Sequence, residues 1–145
     1  MTWGEIKIIT LQKMFAKDEP IGTKNLSSLV NDDDCKVYIS NMPAVANEAI
    51  QRLSRYCQNK YQYNEKEKTY EKIKVDKITA DTKDDYELQL PESACVLMPL
   101  YMASQLYKDD DISQATAYRN EFEVGLADLD TEIENQHYVD MVMEV

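Results

Sequence analysis

The sequence predicts a mainly α protein: a small bundle of about four helices, with a short β-hairpin inserted between the second and third. Three observations support this fold class. Apolar residues recur at helical spacing in several long segments, the 145-residue chain contains only three Gly and four Pro, and one stretch near residues 69–90 is rich in β-branched and aromatic residues. A chain of this length is expected to form a single domain, residues 1–145, around one core.

The first predicted helix covers about residues 2–16. Thr2 and Glu5 have the spacing of a capping box, in which each side chain satisfies a backbone N–H at the helix start. The residues that follow are broadly apolar, so this helix should lie in a deep groove. Lys17–Asn31, which contains Pro, Gly and paired Ser, is predicted to be a connector.

The second predicted helix covers about residues 34–60. Asp32–Asp34 place negative charge at its start, where the helix dipole favours it. Pro43 interrupts the segment, so either one helix kinks there or a new helix begins with Asn41 as its cap. The apolar spacing continues unbroken across Pro43, which favours a single kinked helix.

The β-hairpin is predicted at about residues 69–90, with Thr69–Lys77 paired to Asp85–Leu90. Its second strand is indicated by apolar residues at every other position from Tyr86 to Leu90. Because a lone hairpin is marginally stable, it should lean on the helices or on another subunit.

The third predicted helix, residues 91–107, is apolar on nearly every side and should be surrounded by protein. Pro99 removes one of its backbone hydrogen bonds and is expected to bend it. Charges flank this segment closely and Pro99 interrupts it, so it is too short to span a bilayer and no membrane partner is expected.

The fourth predicted helix covers residues 112–134. Apolar residues recur along one face from Ala115 to Ile133, and Asp111 with Gln114 gives a capping-box-like start. Together the third and fourth helices predict an αα-hairpin, closed by an acidic turn at Lys108–Asp111. The tail, residues 135–145, is apolar with acidic residues between, and we expect it to dock on the body or on another chain.

The net charge of −11 is concentrated near the C-terminus. Residues 109–145 contain eleven Asp or Glu and one Arg, whereas residues 1–108 contain sixteen acidic and fifteen basic residues. Such a surface does not bind nucleic acid, since the affinity of proteins for nucleic acid comes mainly from cationic side chains on the phosphates. Solubility, repulsion of nucleic acid and contact with a basic partner surface all remain open as its role. The odd count of three Cys predicts reduced thiols in a cytoplasmic protein, with Cys57 and Cys95 in the core.

No catalytic, cofactor-binding or metal-binding motif is recognisable. The sequence has no P-loop, no dinucleotide fingerprint and no nucleophile elbow, and its one histidine, His137, lies in the tail. The clusters Asp32–Asp34 and Asp109–Asp111 both precede helices, so capping explains them more simply than a divalent ion does. Arg119 is expected to pair with Glu123 at i+4 or with the nearby Glu121, and a subunit contact is the alternative.

Four blocks of the sequence resemble a known group of proteins. They are the opening MTWGEIKIITLQKMF and the segments Ile39–Ala49, Leu97–Asp111 and Tyr118–Glu123. These blocks are similar to head–tail connector proteins, also called head completion or adaptor proteins, of tailed phages and prophages of Gram-positive hosts. The resemblance covers the first helix, the second helix and the αα-hairpin, about half of the chain. Residues 58–90 have no counterpart in this resemblance.

The resemblance implies a structural protein rather than an enzyme. It implies a ring beneath the portal that extends the DNA channel and supports tail attachment, with the portal protein and a tail-side stopper protein as partners. The chain would occupy the host cytoplasm during assembly and then the virion neck, and DNA would pass without specific binding. The residues expected at subunit or channel contacts lie in the acidic turn, the last helix and the tail: Asp109, Asp110, Asp111, Arg119, Glu123, Asp128, Asp130, Glu132, Glu134 and Tyr138.

Two other classes of function stay open at the level of sequence. The acidic C-terminal region also suits a small binding module that mimics DNA and inhibits a host nucleic-acid-binding protein. An enzyme with an unfamiliar carboxylate site around Asp109–Asp111 is the third hypothesis.

Overall fold

The computed structural model describes most of the chain, with the backbone alone for some residues. The described ranges are 1–15, 33–54, 61–72 and 75–143, of which 33–34, 61–64, 70–72 and 130–143 are described by their backbone only. This part of the chain is mainly helical, which confirms the predicted fold class at that level. The predicted connector Lys17–Asn31 and the predicted core residue Cys57 lie outside the described residues.

The helical bundle is organised around one short helix. The helices are α1 (Trp3–Phe15), α2 (Asp33–Leu53), α3 (Glu92–Cys95), α4 (Met98–Tyr107) and α5 (Ile112–Met143). α4 packs against α1, α2 and α5, so it occupies the middle of the bundle as the sequence predicts. Met98, Met102 and Ala103 are fully buried on it, and Cys95 just before it is buried as predicted. Leu100 departs from the prediction that this segment is surrounded by protein, because it is only partly buried at the edge of the core.

Two separate helices replace the predicted bent helix over residues 91–107. α3 ends at Cys95, a turn follows, and α4 begins at Met98 with Pro99 in its first turn. A proline is tolerated in that position because the first N–H groups of a helix have no intrahelical partner. Pro99 therefore starts a helix instead of bending one.

α2 is one continuous helix through Pro43, so the alternative of a new helix beginning there is wrong. The kink itself stays a prediction. The helix ends at Leu53, earlier than the predicted end near residue 60. Its buried residues, which include Met42, Ala46 and Leu53, face the core at helical spacing.

The predicted pairing of Thr69–Lys77 with Asp85–Leu90 is wrong. The strands are β1 (Tyr61–Asn64) and β2 (Thr69–Lys72), which pair with each other in antiparallel register. The alternation at residues 86–90 has a different cause. Leu88 and Leu90 bury their side chains in the core, while the backbone beside them pairs with the N-terminus.

Residues 84–88 hold the start of α1. The backbone N–H groups of Trp3 and Gly4 donate to the carbonyls of Tyr86 and Asp84 at 2.8 and 2.9 Å, and Leu88 N–H donates to the Met1 carbonyl at 3.1 Å. These bonds satisfy donors that a helix start leaves unpaired. A Cβ on Gly4 would lie 2.9 Å from the Asp84 Cβ, so this close approach requires glycine. Thr2 Oγ1 accepts from the Glu5 N–H at 3.2 Å, which confirms Thr2 as the cap of α1. The reciprocal bond of the capping box, from the Thr2 N–H to the Glu5 side chain, stays a prediction.

α5 is much longer than the helix it packs against. It has 32 residues, about 48 Å at 1.5 Å per residue, whereas α4 has ten. Its buried residues follow the predicted one-face pattern: Ala115, Tyr118, Phe122, Leu126 and Leu129. The helix runs to Met143, so the predicted end near residue 134 and the separate tail from residue 135 are corrected. Among the described residues, no helix combines the length and apolarity needed to cross a bilayer.

Candidate interaction surface

In the acidic turn between α4 and α5, two of the three aspartates, Asp110 and Asp111, accept hydrogen bonds from other parts of the fold. Asp111 Oδ1 accepts from the Gln114 N–H at 3.2 Å, which confirms Asp111 as the cap of α5. The Tyr38 hydroxyl on α2 donates to Asp110 Oδ2 at 2.5 Å. Asp109 is exposed. The carboxylates of Asp110 and Asp111 are thus engaged with α2 and with the start of α5.

Tyr38 belongs to an aromatic group at the end of α1. Its ring centroid lies 5.6 Å from that of Phe15 and 5.9 Å from that of Tyr107. The hydrogen bond to Asp110, with burial second, raises the pKa of Tyr38 to about 12, because the carboxylate stabilises the protonated hydroxyl. The bond from α2 to the acidic turn therefore persists across the physiological pH range.

Two tyrosine hydroxyls satisfy carbonyls at the C-terminal end of α1. Tyr107 on α4 donates to the Met14 carbonyl, and Tyr118 on α5 donates to the Lys13 carbonyl. The last four carbonyls of a helix have no intrahelical partner, so these side chains act as caps supplied from neighbouring helices. Burial raises the pKa of Tyr107, which keeps this donor protonated.

A charged cluster lies where α2, α4 and α5 meet. Arg119 Nε donates to Glu123 Oε1 at 3.1 Å, which confirms the predicted i+4 pair. Arg52 on α2 donates to the same oxygen at 3.0 Å through Nη2. The three side chains are 35–46% exposed, so both ion pairs lie at the surface and contribute little to stability.

Two aromatic rings lie beneath these guanidinium groups. Tyr101 and Phe122 are buried with ring centroids 5.2 Å apart, and Arg119 lies 4.9 Å from the Tyr101 centroid. Arg52 lies 5.6 Å from the Phe122 centroid. We call these residues, with Glu123, the arginine cluster. Arginines stacked on aromatic rings are held in place, and arginine and tyrosine are enriched where protein interfaces gain most of their affinity.

The arginine cluster continues into a groove between α4 and α5. The groove has a volume of about 210 Å³ and is lined by Ser104, Gln105, Lys108, Ile112, Ala115, Thr116, Arg119 and Asn120. Its charged lining residues in the described structure are two cations, Lys108 and Arg119. Ile112 is 73% exposed beside them. We call this feature the α4–α5 groove.

The predicted contact residues fall into three groups and one single residue, Asp128. The first is the acidic turn, and the second is the pair of Arg119 with Glu123. Asp128 is exposed farther along α5. The third group comprises Asp130, Glu132, Glu134 and Tyr138, which lie on the C-terminal part of α5, described by its backbone only. Within the described residues, no three Asp, Glu, His or Cys side chains are grouped so as to hold a metal ion.

Sequence reasoning missed Arg52, Tyr101 and Phe122 as members of a surface cluster. Arg119 and Glu123 are one helical turn apart, so their pairing is visible in a single sequence. Arg52 and Glu123 are 71 positions apart, and their contact exists only because α4 brings α2 beside α5. The one available signal was that arginine is scarce in the chain, at three positions.

Comparisons of this chain with protein families, with curated proteins and with solved structures give no match.

Proposed function

We propose that this chain is a structural head–tail connector of a tailed phage or prophage, which forms a ring under the portal and supports tail attachment. The observation that carries the proposal is the form of α5. One face of α5 packs into the bundle as far as Leu129, while Glu121 and Asp128 are exposed on its outer side. The backbone of the helix continues for fourteen residues, about 21 Å, beyond Leu129.

This form suits a protein whose surface serves for contact with other subunits. The outer face of this 32-residue helix, on which Glu121 and Asp128 are exposed, is available for such contacts. The acidic outer face also suits a channel through which DNA slides, because carboxylates repel phosphates instead of binding them. The sequence blocks described above agree with this assignment.

Affinity purification from cells that produce the particles tests the proposal. A tagged chain should bring down the portal protein, and the complex should appear as a ring in negative-stain images. Deletion of the gene should leave DNA-filled heads without tails, and supply of the chain in trans should restore them. Normal tailed particles after the deletion would contradict the proposal.

A second candidate is favoured by the charge of −10 over residues 109–145: a DNA-mimicking inhibitor of a host nucleic-acid-binding protein. It predicts that replacing Asp128, Asp130, Glu132 and Glu134 by their amides abolishes binding to a basic host protein while particle assembly survives. Loss of assembly in that variant would favour the connector instead.

A further inference from the structure

The α4–α5 groove is a cationic site on an acidic protein. Its described charged side chains are Lys108 and Arg119, although the whole chain carries a net charge of −11. A partner that fills the groove should therefore bring carboxylates. The exposed Ile112 at the end of the groove favours a partner that also has apolar side chains.

The Arg119 side chain is already held in an orientation that suits binding of a carboxylate. Its guanidinium stacks on Tyr101 and its Nε is held by Glu123, while the two Nη groups form no hydrogen bond with any residue in the described part of the chain. A planar guanidinium with free Nη donors matches the geometry of a carboxylate. Because the stacking already restricts the side chain, less conformational entropy is lost when a ligand binds.

The chain itself contains a segment of matching chemistry. Residues 130–145, DTEIENQHYVDMVMEV, include five Asp or Glu and no Lys or Arg, with apolar residues between the acidic ones. We propose that the α4–α5 groove of one copy binds the segment 130–145 of a second copy, with carboxylates on Lys108 and Arg119 and apolar side chains against Ile112.

The geometry of α5 explains why the segment must come from another copy. The groove is formed by the first part of α5, up to Asn120, and the segment starts ten residues farther along the same helix. At 1.5 Å per residue it begins about 15 Å away and extends away from the groove. A continuous α5 therefore cannot place its own C-terminal part in its own groove.

The contact would be head-to-tail: the end of one α5 meets the start of the next. In a pair of copies joined in this way, one groove and one segment 130–145 stay unoccupied. Further copies can therefore add until a ring closes. The inference takes its biological meaning from the proposed function, on which it rests, and names the subunit contact of the ring.

A labelled synthetic peptide of residues 130–145 tests the contact by fluorescence anisotropy against the full-length chain. We expect saturable binding that weakens as salt is added. The double variant Lys108→Gln/Arg119→Gln should bind the peptide about tenfold more weakly, because both groove cations are lost. The matched control is Lys77→Gln/Lys83→Gln, which removes two exposed cations from another surface and should bind normally.

Two further variants keep the test decisive. Lys108→Gln alone changes an exposed residue outside the arginine cluster, so it should fold normally and still weaken binding severalfold. A peptide carrying Glu132→Gln and Glu134→Gln should bind less well than the native peptide. The absence of saturable binding, or an equal loss in the control pair, would overturn the inference.

The peptide experiment can fail or succeed independently of the test for the connector function. Peptide binding through the groove, in a chain that is absent from particles, would keep the contact and reject the connector. A chain present in the neck of particles whose groove ignores the peptide would keep the connector and reject this contact.

Discussion

The side-chain amide of Asn47 on α2 forms two hydrogen bonds with the backbone of Ile78. Its Nδ2 donates to the Ile78 carbonyl and its Oδ1 accepts from the Ile78 N–H, both at 2.8 Å. The pair fixes the segment that follows the hairpin onto α2, and it keeps the Ile78 side chain 1% exposed in the core.

Replacing Asn47 should therefore destabilise the fold. Asn47→Ala leaves a partly buried N–H and carbonyl without partners, so we expect the free energy of unfolding to fall by about 2 kcal/mol. Urea denaturation followed by circular dichroism measures this loss. Asn41→Ala, at an exposed position on the same helix, is the control and should change stability by less than about 0.5 kcal/mol. Equal losses in both variants would contradict the role of Asn47.

The central position of α4 predicts that a charge at Met102 destabilises the fold far more than a charge at Leu100 on the same helix. Met102 is 0% exposed, whereas Leu100 is only partly buried. Met102→Asp should abolish folding, because an unpaired buried charge costs several kcal/mol, comparable to total stability. Met102→Ala should cost about 2–5 kcal/mol. Leu100→Asp should be milder, and Val124→Asp, at a 65% exposed site, should be nearly neutral in thermal unfolding. A folded Met102→Asp protein would contradict the position of α4 in the middle of the core.

The tyrosine caps of α1 predict small, specific losses. Tyr118→Phe removes only the hydroxyl that donates to the Lys13 carbonyl, and we expect it to lower stability by about 1 kcal/mol. Tyr86→Phe is a suitable comparison, since its hydroxyl makes a longer, exposed bond of 3.4 Å to Asp76. That variant should lose less. If Tyr118→Phe were as stable as the native chain in urea, the hydroxyl would not be acting as a cap.

The bond between Tyr38 and Asp110 predicts a loss of stability at alkaline pH. The pKa of Tyr38 in the folded protein, about 12, lies above its ordinary value of 10. The contribution of this bond is therefore complete below pH 10 and disappears as the pH rises from 10 to 12. Unfolding measured across this window should show that Tyr38→Phe loses less stability than the native chain. Parallel losses in the two proteins would contradict the assignment.

Features set by neighbours in sequence could be predicted from the sequence alone. The cap of α1 by Thr2, the cap of α5 by Asp111 and the pair of Arg119 with Glu123 all join residues three or four positions apart. The apolar face of α5 follows from the same helical period. Each of these predictions needs only local geometry, and each is confirmed.

Features set by contacts between distant segments could not be predicted. The alternation at Tyr86, Leu88 and Leu90 predicts a hairpin strand, yet the backbone of residues 84–88 pairs with residues 1–4, which are distant in sequence. Alternation reports which side chains are buried and does not say which backbone lies alongside. The position of Arg52 beside Glu123 depends on helix packing in the same way.

Purified particles provide the most direct test of the proposed connector. Quantitative mass spectrometry of the particles that the host strain releases should detect this chain at a fixed ratio to the portal protein, and mild disruption should leave it with the neck fraction. A chain that is abundant in the producing cells but absent from the purified particles would contradict the account.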